Sequence, residues 1–153
     1  MLSRVIFGLV DMAARKGLAE AAGDSTGDVK QRARRTGLRG ETYAYWYLRR
    51  HGYVFVARNY TAPGCKGEID LIGYDGPVLA FVEVKTRAGE PGDAPLGRPE
   101  DAVTADKRRA LARMARQFLA EKGLREAPCR FDVLAIESER GKRPVVRLHK
   151  AAF

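Results

Sequence analysis

Cysteine, histidine and long apolar runs are scarce in this chain. Its 153 residues include two cysteines, Cys65 and Cys129, far apart and without a C-x-x-C pair. That excludes a disulfide framework and gives no sign of a structural zinc site, and a reducing cytoplasm is the expected compartment. The two histidines, His51 and His149, stand alone, so neither is assigned a catalytic role. No stretch approaches the roughly 18 apolar residues of a membrane span, so no stable membrane insertion is expected. The run Val5 to Val10 after Arg4 ends at Asp11, short of the roughly 7–15 apolar residues of an export signal. Acids are also in deficit: 19 against 28 lysines and arginines give a net charge of +9 and a pI near 9.9. A surplus of that size favours an anionic partner such as nucleic acid or a membrane surface. With 45% apolar and 31% charged residues the chain is too hydrophobic for a disordered protein, and its length suits one domain.

Residues 1–36 read as an N-terminal tail and basic linker. The first 20 fit a short amphipathic helix, whereas 21–36 (AAGDSTGDVKQRARRT) show no apolar period. Lys30, Arg32, Arg34 and Arg35 in that stretch either touch phosphate or keep the linker solvated. Residues 37–153 form the expected folded domain. Tyr43, Trp46 and Tyr47 are spaced for a helix from Gly37 to His51, with Gly52 as its stop. Three strands follow, Tyr53–Asn59, Gly67–Tyr74 and Val78–Thr86, divided by Thr61-Ala62-Pro63-Gly64 and by Asp75-Gly76-Pro77. Arg87–Pro99 is a loop long enough for a binding or lid role. A second helix spans Asp101–Lys122, with Thr104 as start signal and Gly123 as stop, and strands Arg130–Glu137 and Val145–His149 complete the chain. The order α-β-β-β-α-β, with a last strand, predicts an α/β fold in which helices flank a mixed central sheet.

Two segments carry the chemistry. Alternation along GEIDLI puts Glu68, Asp70 and Ile72 on one strand face and Ile69 and Leu71 on the other; along FVEVK it puts Glu83 with Lys85. A hairpin centred on Gly76-Pro77 sets Asp70 opposite Glu83. Opposed like charges weaken a sheet, so a positive group is required there. Lys85 is one candidate. A divalent cation such as magnesium, held by the carboxylates and the Val84 carbonyl, is a better one, because these acids interrupt otherwise apolar strands. Such a cation activates water and offsets phosphate charge, while Lys85 holds or deprotonates the attacking water.

Gly40-Glu41, Gly67-Glu68-Ile69-Asp70-Leu71-Ile72, Phe81-Val82-Glu83-Val84-Lys85-Thr86-Arg87 and Arg130-Phe131-Asp132-Val133 together resemble the YraN-like uncharacterised bacterial family. That family is similar to the restriction-endonuclease-like superfamily, with its PD-(D/E)xK signature, and to archaeal Holliday-junction resolvases. The likeness covers about residues 37–138. It implies a restriction-endonuclease-like core and a metal-dependent endonuclease hydrolysing DNA phosphodiesters, with branched or structured DNA as the substrate class and a homodimer as the assembly. Asp70 then matches the first acid of the signature, with Ile69 where proline is common, and Glu83 and Lys85 match its (D/E)xK half. Glu41 matches the glutamate that completes the resolvase metal site. The catalytic set is thus Glu41, Asp70, Glu83 and Lys85, and Asp70, Glu83 and Glu41 bind Mg2+, or Mn2+ in its place. Glu68 is either a residue supporting Asp70 or a solvent-facing one. The bland reading of Glu41 is a first-turn acid favoured by the helix dipole.

Lys107, Arg108, Arg109, Arg113 and Arg116 occur without an intervening acid, and 109, 113 and 116 share one helical side. Lys107, Arg109, Arg113 and Arg116, with Arg87, are the expected nucleic-acid contacts, the first by likeness to a family lysine; a solvated surface is the alternative for the stripe. Tyr43, Tyr45, Trp46 and Tyr47 fit core packing better than base stacking. Asp132 fits a plain ion pair with a nearby arginine. Two competing functions stand beside the nuclease: a binding module of a DNA-processing complex that does not cut, and a peripheral protein whose Ile6, Phe7, Leu9 and Val10 meet an anionic membrane.

Overall fold

A computed structural model describes residues 5–13, 29–89, 103–139 and 142–153. Residues 5–13 are helical (α1), followed by α2 (Val29–Arg50), β1 (Val54–Tyr60), β2 (Ile69–Asp75), β3 (Val78–Gly89), α3 (Ala105–Glu121), β4 (Cys129–Glu139) and β5 (Val145–His149). The five strands form one sheet in sequence order. All neighbours are antiparallel except β3 and β4, which run parallel and are joined through α3. The expected mixed α/β architecture is therefore present, and among the described residues no helix is long and apolar enough to cross a membrane.

The sheet separates two cores. On one face Leu111, Met114, Ala115, Phe118 and Leu119 of α3 pack against Ile72, Leu79, Phe81 and Val133. On the other, Tyr43, Ala44 and Leu48 of α2 and Phe7 of α1 pack against Leu71, Ala80, Val82, Leu134 and Ile136. Residues 69–73 of β2 are all buried. A strand covered on both sides has no solvent face on which to place acids cheaply, so Asp70 and Glu83 stand out chemically. The β2–β3 hairpin turns at Gly76, whose φ of 58° lies where glycine is at no steric cost.

Several boundaries differ from the sequence reading. The helix expected from Gly37 begins at Val29 and runs through the expected boundary between linker and domain. The reason is that VKQRARR is rich in good helix formers but has no apolar period to betray them. Residues 5–13 form the expected short helix, and it docks: Phe7 is buried against Tyr43 and Tyr47, and the Tyr43 hydroxyl donates to Asp11 Oδ1 at 2.8 Å. α3 starts at Ala105 with Thr104 as its N-cap, its side chain accepting from Lys107 N–H at 3.3 Å. β3 runs on to Gly89, so the expected loop opens as strand; its residues 90–99, like residues 21–28 of the linker stretch, lie outside the described residues. Strict alternation also fails at the start of β2, where Ile69 joins Ile72 on the α3 face and not Leu71 on the other.

Candidate active site

The β2–β3 register pairs Leu71 with Val82 and Asp75 with Val78. Continued by one residue it sets Asp70 across from Glu83, as a hairpin centred on Gly76-Pro77 requires. Both acids are buried, at 8% and 4% exposure. Asp70 Oδ2 accepts the Val84 N–H at 2.7 Å, so the side chain takes an acceptor position in the ladder. Burial first, then the Glu83 charge, and further the Glu41 charge, push the Asp70 carboxyl up from 3.8 to about 7, against the opposing pull of the Val84 N–H and Lys107. This pair is costly as it stands.

α2 brings Glu41 to the same place. Gly40 lies against β3 so closely that a Cβ there would fall 1.8 Å from Thr86 Oγ1 and 2.7 Å from Thr86 Cβ. Only glycine lets the helix and strand approach this far. The next residue, Glu41, then reaches the start of β2, where carboxylate oxygens of Glu41, Glu68 and Asp70 all lie within 4.8 Å of one another. Asn59 Nδ2 donates to Glu41 Oε2 at 3.0 Å and fixes the side chain.

Glu83 is held differently. Its Oε1 accepts from Lys85 Nζ at 3.0 Å and from Lys107 Nζ at 2.6 Å. Its Oε2 is buried with no hydrogen-bond partner among the described residues. Three carboxylates in one cluster and an orphaned buried oxygen on a fourth are a donor set suited to a hard divalent cation, which takes oxygen ligands. The residues present fit such an ion.

The structure thus brings Glu41, Glu68, Asp70, Glu83 and Lys85 together. Lys107, expected on phosphate, places its ammonium on Glu83. Residue 107 shares a helical side with Leu111, Met114 and Phe118, which turns it toward the sheet. Arg109, Arg113 and Arg116 are exposed on the opposite side of α3, and Arg109 pairs with Asp106. Arg87 lies two residues beyond Lys85 on β3, opposite Glu137 of β4. Asn59 was missed by sequence reasoning; its positive φ of 47° is a backbone property that sequence does not announce.

Other candidates are structural. Asp132 is fully buried and accepts from Arg130 Nε at 2.8 Å, Tyr53 OH at 3.2 Å and Ala151 N–H at 3.0 Å. Arg130 also reaches Asp75 at 2.5 Å, beside Lys150 at 2.6 Å, so this network ties the hairpin end of the sheet to the end of the chain. Tyr43, Tyr45, Trp46 and Tyr47 all pack on the α2 core. His51 Nδ1 donates to the Tyr47 carbonyl one turn back, at 2.8 Å.

Comparison with known proteins agrees with this geometry in extent. The chain matches the family described as uncharacterised protein family UPF0102 over residues 40–136, which spans Glu41, β1 to β4 and α3. It is 47% identical over 121 residues to a UPF0102 protein of Symbiobacterium thermophilum, covering 79% of this chain and 98% of that one. It is 42% identical to those of Koribacter versatilis (119 residues, 78% and 79%) and Geotalea uraniireducens (118 residues, 76% and 87%). The chain belongs to the UPF0102 family.

Proposed function

We propose that this UPF0102 chain is a metal-dependent endonuclease that hydrolyses DNA phosphodiester bonds. The single observation carrying the reading is the convergence of buried Asp70 and Glu83 with helix-borne Glu41 and the Lys85 ammonium, where the start of β2 meets the middle of β3. Such a set matches the PD-(D/E)xK pattern its sequence resembles. Asp70, Glu83 and Glu41 would hold Mg2+ or Mn2+, with Glu68 beside them and the Val84 carbonyl as a further oxygen. A bound divalent ion would offset charge on the phosphate and make water a better nucleophile.

The chain's own residues supply the rest. Lys85, within reach of Glu83, holds the attacking water on the side of the phosphate facing the carboxylates. The water gives up a proton to solvent as its oxygen forms a new bond to phosphorus, the bond to the leaving sugar oxygen breaks, and that oxygen takes up a proton from solvent. Asn59 and Gly40 keep Glu41 in position. Arg87, Arg109, Arg113 and Arg116 offer charge to the DNA backbone away from the scissile bond, in a chain of net charge +9.

The test is incubation of the full chain with branched, single-stranded and duplex DNA, with Mg2+ or Mn2+, beside D70N and K85M. Metal-dependent cleavage lost in both variants is expected, with branched DNA cut in preference. Cleavage absent from every substrate, with DNA binding unchanged by the variants, would instead favour the non-cutting module. Light scattering of the free and DNA-bound chain reads the homodimer.

A further inference from the structure

The Lys107–Glu83 contact is the feature of the site that the proposed reaction leaves unused. Glu83 is 4% exposed, yet two ammoniums meet on its Oε1 while its Oε2 has no partner among the described residues. The two lysines are not equivalent. Lys85 shares a strand with Glu83, two residues on, and its position is set by the sheet. Lys107 comes from the first turn of α3 on a flexible four-carbon stem, and 41% of its side chain is exposed. It can leave for solvent without unpacking the core. Its contact at 2.6 Å is nonetheless the shorter of the two.

We propose that Lys107 is a resident counter-cation. Its ammonium neutralises Glu83 while the carboxylates hold no metal, competes with a divalent ion for that glutamate, and is released toward the DNA phosphate when the ion binds. Lys107 is thus a positioning residue that sets the threshold of metal concentration for loading. The inference rests on the reading of the carboxylate cluster as a cation site, but not on cleavage.

Two measurements on the full chain test it. The first is Mn2+ binding by calorimetry at low ionic strength for the wild type, K107M and K107R. K107M keeps the stem and removes the charge, and an ammonium so near the ligands opposes a second cation. K107M should therefore bind Mn2+ roughly tenfold or more tightly, while K107R stays near the wild type. The second follows the wild type: the Lys107 ammonium resonance in 15N spectra, assigned by its loss in K107M or K107R, should move to solvent-exposed values as Mg2+ is added. Equal or weaker Mn2+ binding by K107M overturns the proposal. So does a Lys107 resonance that Mg2+ leaves unmoved, or a failure of both wild type and K107M to bind metal. Tighter Mn2+ binding by K107M, beside a wild type that cleaves no DNA at saturating Mn2+, would sink the nuclease reading and leave this one standing.

Discussion

Replacing Asp70 with asparagine should stabilise the metal-free protein, and increasingly so as pH rises. In the folded chain the Asp70 carboxyl titrates near 7, against 3.8 in the absence of the fold. Between those values the native state holds a proton that the unfolded chain has lost, so stability falls as pH rises through this window and stays low above it. The stability that protonated Asp70 retains at pH 5 is lost by pH 8. At about 1.36 kcal/mol per pH unit, the fall from pH 5 to 7 is worth roughly 2–3 kcal/mol. D70N carries no charge to desolvate, and its amide oxygen can still accept the Val84 N–H. Any constant cost of an amide in place of a carboxyl is present at both ends of the window and cancels.

The advantage of D70N over the wild type should thus grow by roughly 2–3 kcal/mol from pH 5 to pH 8, or about 4–12 °C in Tm for a domain of this size. The assay is thermal unfolding of both proteins in EDTA at half-unit steps from pH 5 to 8.5, repeated with 10 mM Mg2+ or Mn2+. The cation should raise the Tm at pH 8 more for the wild type than for D70N, narrowing the gap, because D70N has lost one of the carboxylates that bind it. A difference between the proteins that stays constant across the pH range, or that shrinks as pH rises, would refute the buried like-charge account.

Gly40→Ala should cost about 1–3 kcal/mol by forcing α2 away from Thr86, and should weaken Mn2+ binding in calorimetry through displacement of Glu41. Asn59→Gly keeps the positive-φ backbone and deletes the donor to Glu41, so it should lower metal affinity with a Tm within a few degrees of wild type, whereas Asn59→Ala adds a backbone penalty of roughly 1 kcal/mol. Arg130→Met leaves fully buried Asp132 without its cation and should cost about 3–5 kcal/mol in urea unfolding while metal affinity holds, since Arg130 and Asp132 bond to Tyr53, Asp75 and Ala151 and not to the carboxylates of the cluster. Neutralising Arg109, Arg113 and Arg116 should lower the slope of log K against log salt by about 0.9 for each arginine that meets a phosphate, with no change in metal binding.

The strands, the two-residue hairpin and the Asp70–Glu83 pairing were legible because each follows from short-range rules. Asp75-Gly76-Pro77 fixes the turn, the turn fixes the register, and the register sets which residues face each other. The Thr104 cap was legible for the same reason. What was not legible depends on surroundings. α2 extends over residues 29–36 because intrinsic helix propensity carries it, with no apolar stripe to mark the start. Ile69 leaves its alternating face where β2 begins. Lys107 looked like one member of a basic run, and only the burial of Leu111, Met114 and Phe118 shows that it belongs to the opposite side from Arg109, Arg113 and Arg116. Glu41 was placed by resemblance, but the reason it can reach the strands is Gly40, whose importance comes from Thr86 across a tertiary contact.

Charge gives the strongest link between fold and chemistry. The chain as a whole carries +9, yet at this one place four carboxylates, Glu41, Glu68, Asp70 and Glu83, meet two ammoniums, Lys85 and Lys107. With all six ionised, two negative charges remain, and two of the four carboxylates, Asp70 and Glu83, are buried on strands. Surface ion pairs would cost far less and stabilise no worse, so packing alone gives no reason to bury Asp70 against Glu83. A single divalent cation would remove the surplus, supply the partner that Glu83 Oε2 lacks among the described residues, and reverse the upward push on Asp70. The same count explains why one lysine should be mobile. With the cation bound, Glu83 no longer needs two ammoniums, and the one on the flexible helix-borne stem is the one the fold can release to an incoming phosphate.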